Sequence, residues 1–294
     1  SDSLGDTPYV IDADSQDRYP LLAPFGTTLP RPPTMLRANL SGLNFGNVTV
    51  VWTLSPDDGM GSSSFIGYQL YRNTTHNSEG LAYQLIAFVP NGTSEYTDSS
   101  VGEGDPDNYF YRVCAVDAVN GTRCTRDQAA KFARPLLEGM NLISAPIYQD
   151  NDNLTTVLQT VSFDNSWSYD SYEQRWKTLM ISKPYDPTLP YFNHTKSLWI
   201  NVTRSSNFTV AGLVLQSTDI LLKAGWNLVG FPSFNTTYTV GDLKAQTDAA
   251  RVEGFDPLSS PYFLRKMGSS EIMKPGYGYW VWVDADATWT VPGF

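Results

Sequence analysis

The side chains of this chain that could do acid–base or nucleophilic chemistry are few and dispersed. Carboxylates occur in pairs at Asp57/Asp58, Asp105/Asp107, Asp150/Asp152 and Asp284/Asp286. The first three pairs lie beside Gly, Pro or Asn, and turn formation is the expectation for all four. A glycosidase needs two carboxylates facing across a cleft, and nothing in the sequence singles out such a pair. The two histidines, His76 and His194, lie in or beside polar N-x-T segments and read as solvated loop residues. No GxSxG, P-loop or GxGxxG occurs. Asp150–Asn153 (DNDN) clusters oxygen ligands but lacks the DxDxDG…E loop of a calcium site, so it reads as a solvated turn. The expectation is a protein without catalysis, metal or cofactor.

Two other residue classes carry more information. N-x-S/T sequons begin at Asn39, Asn47, Asn73, Asn91, Asn120, Asn153, Asn193, Asn201, Asn207 and Asn235. Each is a glycosylation acceptor if the chain is exported and the site lies on the surface. They spread along a chain with only 17% charged residues, so sugars would supply part of its solvation. Cys114 and Cys124, ten residues apart, can face each other across one hairpin and pair under oxidising conditions. Both features point to an extracellular or cell-surface protein. Aromatics offer a further possibility, because their faces stack on sugar rings. Tyr277, Tyr279 and Trp282 lie in GYGYWVWV near the end of the chain.

The elements that must position these residues are organised by an internal duplication. Gly139/Gly225, Asn141/Asn227, Leu142/Leu228 and Pro146/Pro232 lie 86 residues apart, as do Tyr169/Phe255, Asp170/Asp256 and Trp176/Tyr262. Trp199/Trp280, Thr209/Thr290 and Gly212/Gly293 lie 81 apart, so the first copy carries five extra residues around KPYDPTLPYF. Recurrence of an aromatic in both copies argues for a core position. That leaves the unmatched Tyr277 and Trp282 as the candidate carbohydrate contacts. Each copy holds a short amphipathic stretch, Asn153–Val161 or Thr239–Gln246, that reads as a two-turn helix. The two copies are expected to pack about a pseudo-two-fold axis or in tandem.

Length and composition bound the rest. A chain of 294 residues can hold two or three domains, and 41% hydrophobic with 13% aromatic residues indicates packed β-rich units. A net charge of −10 excludes a nucleic-acid partner. No apolar run reaches the length of a membrane span.

Residues 29–135 alternate strands and turns at sandwich spacing: Val48–Leu54 with inward Trp52, Phe65–Asn73, Leu81–Val89, Ser94–Ser100 and Asn108–Ala118. This segment resembles the fibronectin type III family. The resemblance implies a core role for Trp52, a tyrosine-corner role for Tyr109 with its hydroxyl on nearby backbone, and a Cys114–Cys124 bridge between the last two strands. The W-N-L-x-G-x-P and G-Y-W pattern of the duplicated region resembles a repeat of exported archaeal and bacterial surface proteins. Residues 1–28, with GDTPYVID and DRYPLL, resemble the closing segment of NosD-like β-helix surface proteins. No copper role follows, because the segment has no His, Met or Cys. The terminal PGF resembles the start of archaeal anchor signals, but Val291 and Gly293 match Val210 and Gly212, so the repeat accounts for it.

The expected architecture is mainly β: an extended segment over 1–28, a fibronectin type III-like β-sandwich over 29–135, and two homologous small β-rich units, each with a short helix, over 136–215 and 216–294. The expected role is a non-catalytic, glycosylated surface-layer, stalk or filament component whose partners are copies of itself or other surface proteins. The alternative is an adhesin or polysaccharide-binding module using aromatics of the last repeat.

Overall fold

The computed structural model describes residues 9–10, 16–17, 29–59, 64–76, 83–183, 188–258 and 263–294. Strands β1 (Tyr9–Val10) and β2 (Gln16–Asp17) pair antiparallel. The remainder of the expected extended segment over 1–28 lies outside the described residues.

The first unit is a two-sheet sandwich with fibronectin type III-like strand order. One sheet is β3 (Thr34–Ser41), β4 (Asn47–Thr53) and β7 (Glu95–Asp98), in order β3-β4-β7. The other runs β10-β8-β5-β6, from β5 (Phe65–Asn73), β6 (Gln84–Pro90), β8 (Tyr109–Asp117) and β10 (Gln128–Leu136), with β9 (Thr122–Cys124) paired to β8. Alternation along β4 buries Val48, Val50 and Trp52 between the sheets. Trp52 packs 5.4 Å from Tyr68. Cys114 and Cys124 are directly opposite in the β8–β9 ladder and form a disulfide. The bridge joins β8 to the short β9 that follows the Asn120–Gly121 turn, as the resemblance implies. Tyr109 differs from expectation: its hydroxyl donates to the Asp105 carboxylate at 2.9 Å instead of to backbone. Burial, then that carboxylate, pushes the phenol up to about 12.

The two copies follow. The first contains β11 (Gly139–Ile143), α1 (Leu154–Val157), β12 (Phe163–Asp170), β13 (Arg175–Met180), β14 (Leu198–Val202) and β15 (Ser206–Val214). The second contains β16 (Ser217–Leu222), β17 (Gly225–Gly230), α2 (Val240–Thr247), β18 (Arg251–Phe255), β19 (Leu264–Lys266), β20 (Gly278–Val283) and β21 (Ala287–Pro292). Their four-stranded sheets have matching order, β11-β14-β12-β13 and β17-β20-β18-β19. The helices begin at equivalent caps: Asn153 accepts from the Thr155 N–H, and Thr239 with Asp242 forms a capping box. Only four residues of the first stretch are helical, half the length of α2.

The G-x-N signature has a local cause. Gly139 and Gly225 sit at φ 95° and 102°, a region suited to glycine. The turn that results exposes two carbonyls to the asparagine two residues on. Asn141 Nδ2 donates to the Leu137 and Gly139 carbonyls, and Asn227 Nδ2 to those of Lys223 and Gly225. Both asparagines are buried and bonded, as buried amides must be.

The register exposes a feature of the domain division. In the second copy β16 pairs with β21 over Ser217↔Pro292 to Leu222↔Ala287. The equivalent pairing in the first copy is β10 with β15, Gln128↔Val214 to Leu136↔Ser206. Strand β10 also pairs with β8 of the sandwich. One strand is thus both the last of the sandwich and the first of the repeat, and a boundary at 135/136 falls inside it. Seven of its nine residues, Gln128 to Arg134, are buried in succession, as for a strand covered on both faces. The hairpin register also revises one pairing of the copies. Tyr169 lies opposite Trp176, and Phe255 opposite Leu264, so Leu264 is the partner of Trp176. Tyr262 lies outside the described residues.

The copies meet about a pseudo-two-fold axis. Ile143 bridges Tyr277, and the equivalent Val229 bridges Lys196. The amide of Ser144 donates to the Gly276 carbonyl, and the amide of its counterpart Gly230 donates to Thr195.

Candidate functional site: a tryptophan-lined face across both repeats

Strand alternation separates two kinds of aromatic. On β14, Leu198, Ile200 and Val202 are buried while Trp199 and Asn201 face outward. On β20, Tyr279, Val281 and Val283 are buried while Trp280 and Trp282 face outward. The repeat cores hold residues such as Phe208 and Trp289, both fully buried. Recurrence of Trp199 and Trp280 therefore marks a shared outer face and not a core, contrary to the sequence expectation.

Six of the eight tryptophans, Trp167, Trp176, Trp199, Trp226, Trp280 and Trp282, lie on this face, each half-buried or, for Trp176, 50% exposed. Ring centroids follow one another at 5.6 Å for Trp176–Trp280, 6.0 Å for Trp226–Trp280 and 5.4 Å for Trp226–Trp282. Across the axis Tyr169 meets Trp280 at 5.6 Å, and the equivalent pair Phe255 and Trp199 meets at 4.8 Å. Interplanar angles of 72–84° along the tryptophan series make a herringbone, with edges and faces alternating toward solvent.

Two shallow grooves cut the face. One, of about 490 Å³, is lined by Met140, Trp167, Trp176 and Trp199. The other, of about 470 Å³, is lined by Trp226, Glu253, Leu264 and Trp280 together with Trp176 and Trp199. The four positions of the first groove and the first four named for the second are equivalent in the duplication. The same site is thus built twice, with Glu253 standing where the first copy has Trp167. Glu253 is 9% exposed and pairs with Arg251 at 2.5 Å.

The two aromatics singled out from sequence are not brought together. Trp282 belongs to the face, its Nε1 donating to Asp284 at 2.8 Å. Tyr277 lies at the junction of the copies under the guanidinium of Arg134, 3.6 Å from ring centroid to Cζ. Arg134 is 6% exposed and donates to the carbonyls of Leu142 at 3.0 Å and Gly276 at 2.5 Å. This residue ties β10 to both copies, and sequence reasoning missed it. A charged side chain amid the apolar run of β10 was the available signal.

The sequons are spread over all three units. Asn39, Asn91, Asn120 and Asn153 are exposed. Asn47 begins β4 and accepts from the Ser100 N–H, and Asn73 ends β5 and accepts from the Thr74 N–H. Asn153, Asn193 and Asn235 each accept from the backbone and hydroxyl of the Thr two residues on. Asn207 lies on β15 opposite Pro135. Asn201, on β14, donates to Asp164 at 3.0 Å.

The paired carboxylates serve turns and ion pairs. Asp57 binds Arg31, which holds its carboxyl below the usual range. Asp58 accepts from Tyr68 and the Gly92 N–H, Asp150 pairs with Arg37, and Asp286 pairs with Lys223. The histidines correct the sequence reading. His76 stacks on Phe294 at 4.2 Å, and His194 meets Tyr148 edge-on at 5.5 Å. Burial lowers the pKa of both. Among the described residues no three of His, Cys, Asp and Glu gather as metal ligands, and no helix is long and apolar enough to cross a membrane.

No family model matches the chain, and no curated protein matches it. Solved structures do. A Fn3-like protein from Clostridium thermocellum is 26% identical, over 33% of this chain and 88% of that one, at TM-score 0.26. The FN1–FN3 domains of chicken CNTN1 are 8% identical, over 91% and 90%, at TM-score 0.27. Titin kinase with its flanking domains is 11% identical, over 52% and 29%, at TM-score 0.25. At these scores the fold rests on the chain's own sheets: its first unit is a fibronectin type III-like β-sandwich.

Proposed function

We propose that this protein is a non-catalytic, glycosylated structural component of a cell surface, part of a layer, stalk or filament. The tryptophan face carries this reading. Six indoles on one open surface, with few charges among them, have the composition of the core of a protein–protein interface. Their herringbone packing offers edges and faces together, suited to interdigitation with another protein's side chains. The partners are copies of this chain or other surface proteins. A strand shared between sandwich and repeat supports the same role, since it leaves no flexible linker between units. The disulfide and the ten sequons fit an exported surface protein, and the repeat's resemblance adds an archaeal or bacterial source. Electron microscopy of native surface material tests this: ordered arrays containing the chain are expected, and arrays lost in a Trp176→Ala/Trp282→Ala variant assign the face.

A polysaccharide-binding adhesin is the second reading, favoured by Glu253 at the floor of the second groove, where a carboxylate can accept from sugar hydroxyls. Its contacts are Trp226, Trp280 and Trp282, and Tyr277 is no longer among them. Glycan-array binding that disappears with Trp282→Ala, in a protein that forms no arrays, selects this reading.

A further inference from the structure

The duplication places one sequon on the tryptophan face. Asn201 and Trp282 are equivalent positions, each the outward residue two beyond a shared tryptophan, Trp199 or Trp280. Their neighbours across the ladders are also equivalent. Asn201 lies opposite Met140 on β11 and Asn165 on β12. Trp282 lies opposite Trp226 on β17 and Arg251 on β18. In the second copy the Trp282 indole covers this corner, packing on Trp226 at 5.4 Å. In the first copy the side chain is a short amide, and Met140 beneath it is 41% exposed beside the groove of about 490 Å³.

We infer that Asn201 carries an N-linked glycan whose first sugar lies on Met140, Trp167 and Trp199, in the place the Trp282 indole takes in the second copy. The alternation of β14 puts Trp199 and Asn201 on one face, so a pyranose attached at Nδ2 is delivered over the Trp199 ring. Trp167 lies directly opposite Trp199 and extends that floor. The C–H face of a sugar suits an aromatic surface, and its hydroxyls remain in water. In the transfer, Asn201 Nδ2 bonds the anomeric carbon of a sugar carried on a lipid-phosphate donor. The C1–O bond of the donor breaks, the phosphate leaves with the electron pair, and the amide loses one proton. The N–H that remains can still donate to Asp164, whose carboxylate lies 3.0 Å away. The glycan then shields the first groove and leaves the second, around Trp226 and Trp280, as the open half of the face.

This inference rests on the proposed export and glycosylation, and the test separates the two. Peptide mass mapping of the secreted protein should show Asn201 modified. Thr203→Ala removes this one sequon at an exposed residue. It should abolish the modification and lower Tm by about 2–4 °C. In a Trp199→Val background, Thr203→Ala should cause no further loss, because the sugar no longer has its platform. Asn201→Trp, which copies the second repeat, should recover the Tm lost in Thr203→Ala. Asn201 unmodified while Asn39, Asn91 or Asn120 carries sugar overturns this inference alone. A chain with no modified sequon overturns the glycoprotein reading as well. An equal Tm loss from Thr203→Ala in both backgrounds overturns the placement of the sugar on Trp199.

Discussion

Ser144 and Gly230 occupy the same position in the two repeats and pack against each other at the axis that relates them. A Cβ on Gly230 would lie 3.1 Å from Ser144 Cβ, 2.7 Å from the His194 carbonyl and 2.9 Å from that of Lys196. Ser197 and Gly278 repeat the arrangement: they too are equivalents, and a Cβ on Gly278 would meet Ser197 Oγ at 2.5 Å. A symmetric pair of identical units would bring serine onto serine or glycine onto glycine. Duplication within one chain lets each contact pair a serine with a glycine. Ser144 Oγ then donates to the Tyr277 carbonyl at 2.7 Å, and Ser197 Oγ to the Val229 carbonyl.

It follows that Gly230→Ala and Gly278→Ser overpack the junction. Each should cost about 1–3 kcal/mol, read from the urea midpoint, because the groups they strike are backbone or buried hydroxyls. Ser144→Ala, which takes the donor from the Tyr277 carbonyl and the acceptor from the Phe231 N–H without adding volume, should cost about 1–3 kcal/mol.

Arg134 and Tyr277 should be energetically coupled. Arg134→Met strips two carbonyls of a charged donor, and Tyr277→Ala removes the ring beneath the guanidinium. A double-mutant cycle should return a coupling of about 1–2 kcal/mol. Tyr277→Ala should leave any glycan binding unchanged at equal folded fraction.

The tryptophans should divide into two groups. Trp289→Ala, in a fully buried site, should cost about 3–5 kcal/mol. Trp176→Ala, at 50% exposure, should cost about 1 kcal/mol or less while removing assembly.

The two half-buried histidines should give stability a pH dependence. Both His76 and His194 are held below their ordinary 6.5, foremost by desolvation, so the unfolded chain binds protons first as pH falls. Their contribution is present in full above the unfolded value near 6.5 and is lost as pH falls below it toward the lowered folded values. Chemical denaturation between pH 7.5 and 5 measures the loss, and His194→Phe should flatten its share.

Much of the fold was legible because its signals are local. Gly139 and Gly225 announce a positive-φ turn, Asn141 and Asn227 close it, and equal spacing identifies the copies. Two features were less legible. The tryptophan face was misassigned because recurrence in a repeat marks any shared environment, exposed or buried. Strict alternation separates Trp280 and Trp282 from Tyr279, and that parity was the better guide. The shared strand escaped because Gln128–Leu136 satisfies two patterns at once, the end of a sandwich and the start of a repeat. Its register is set by partners about 80 residues onward, Phe208 and Val210 among them, which no local pattern reports.

The claim that sandwich and repeats form one structural body that assembles through its tryptophan face is tested most directly by electron microscopy of native surface material. Wild-type chains should form ordered arrays, and Trp176→Ala/Trp282→Ala should give dispersed single particles that are folded by circular dichroism. Wild-type chains found only as isolated particles, or arrays unchanged by the double substitution, would contradict it.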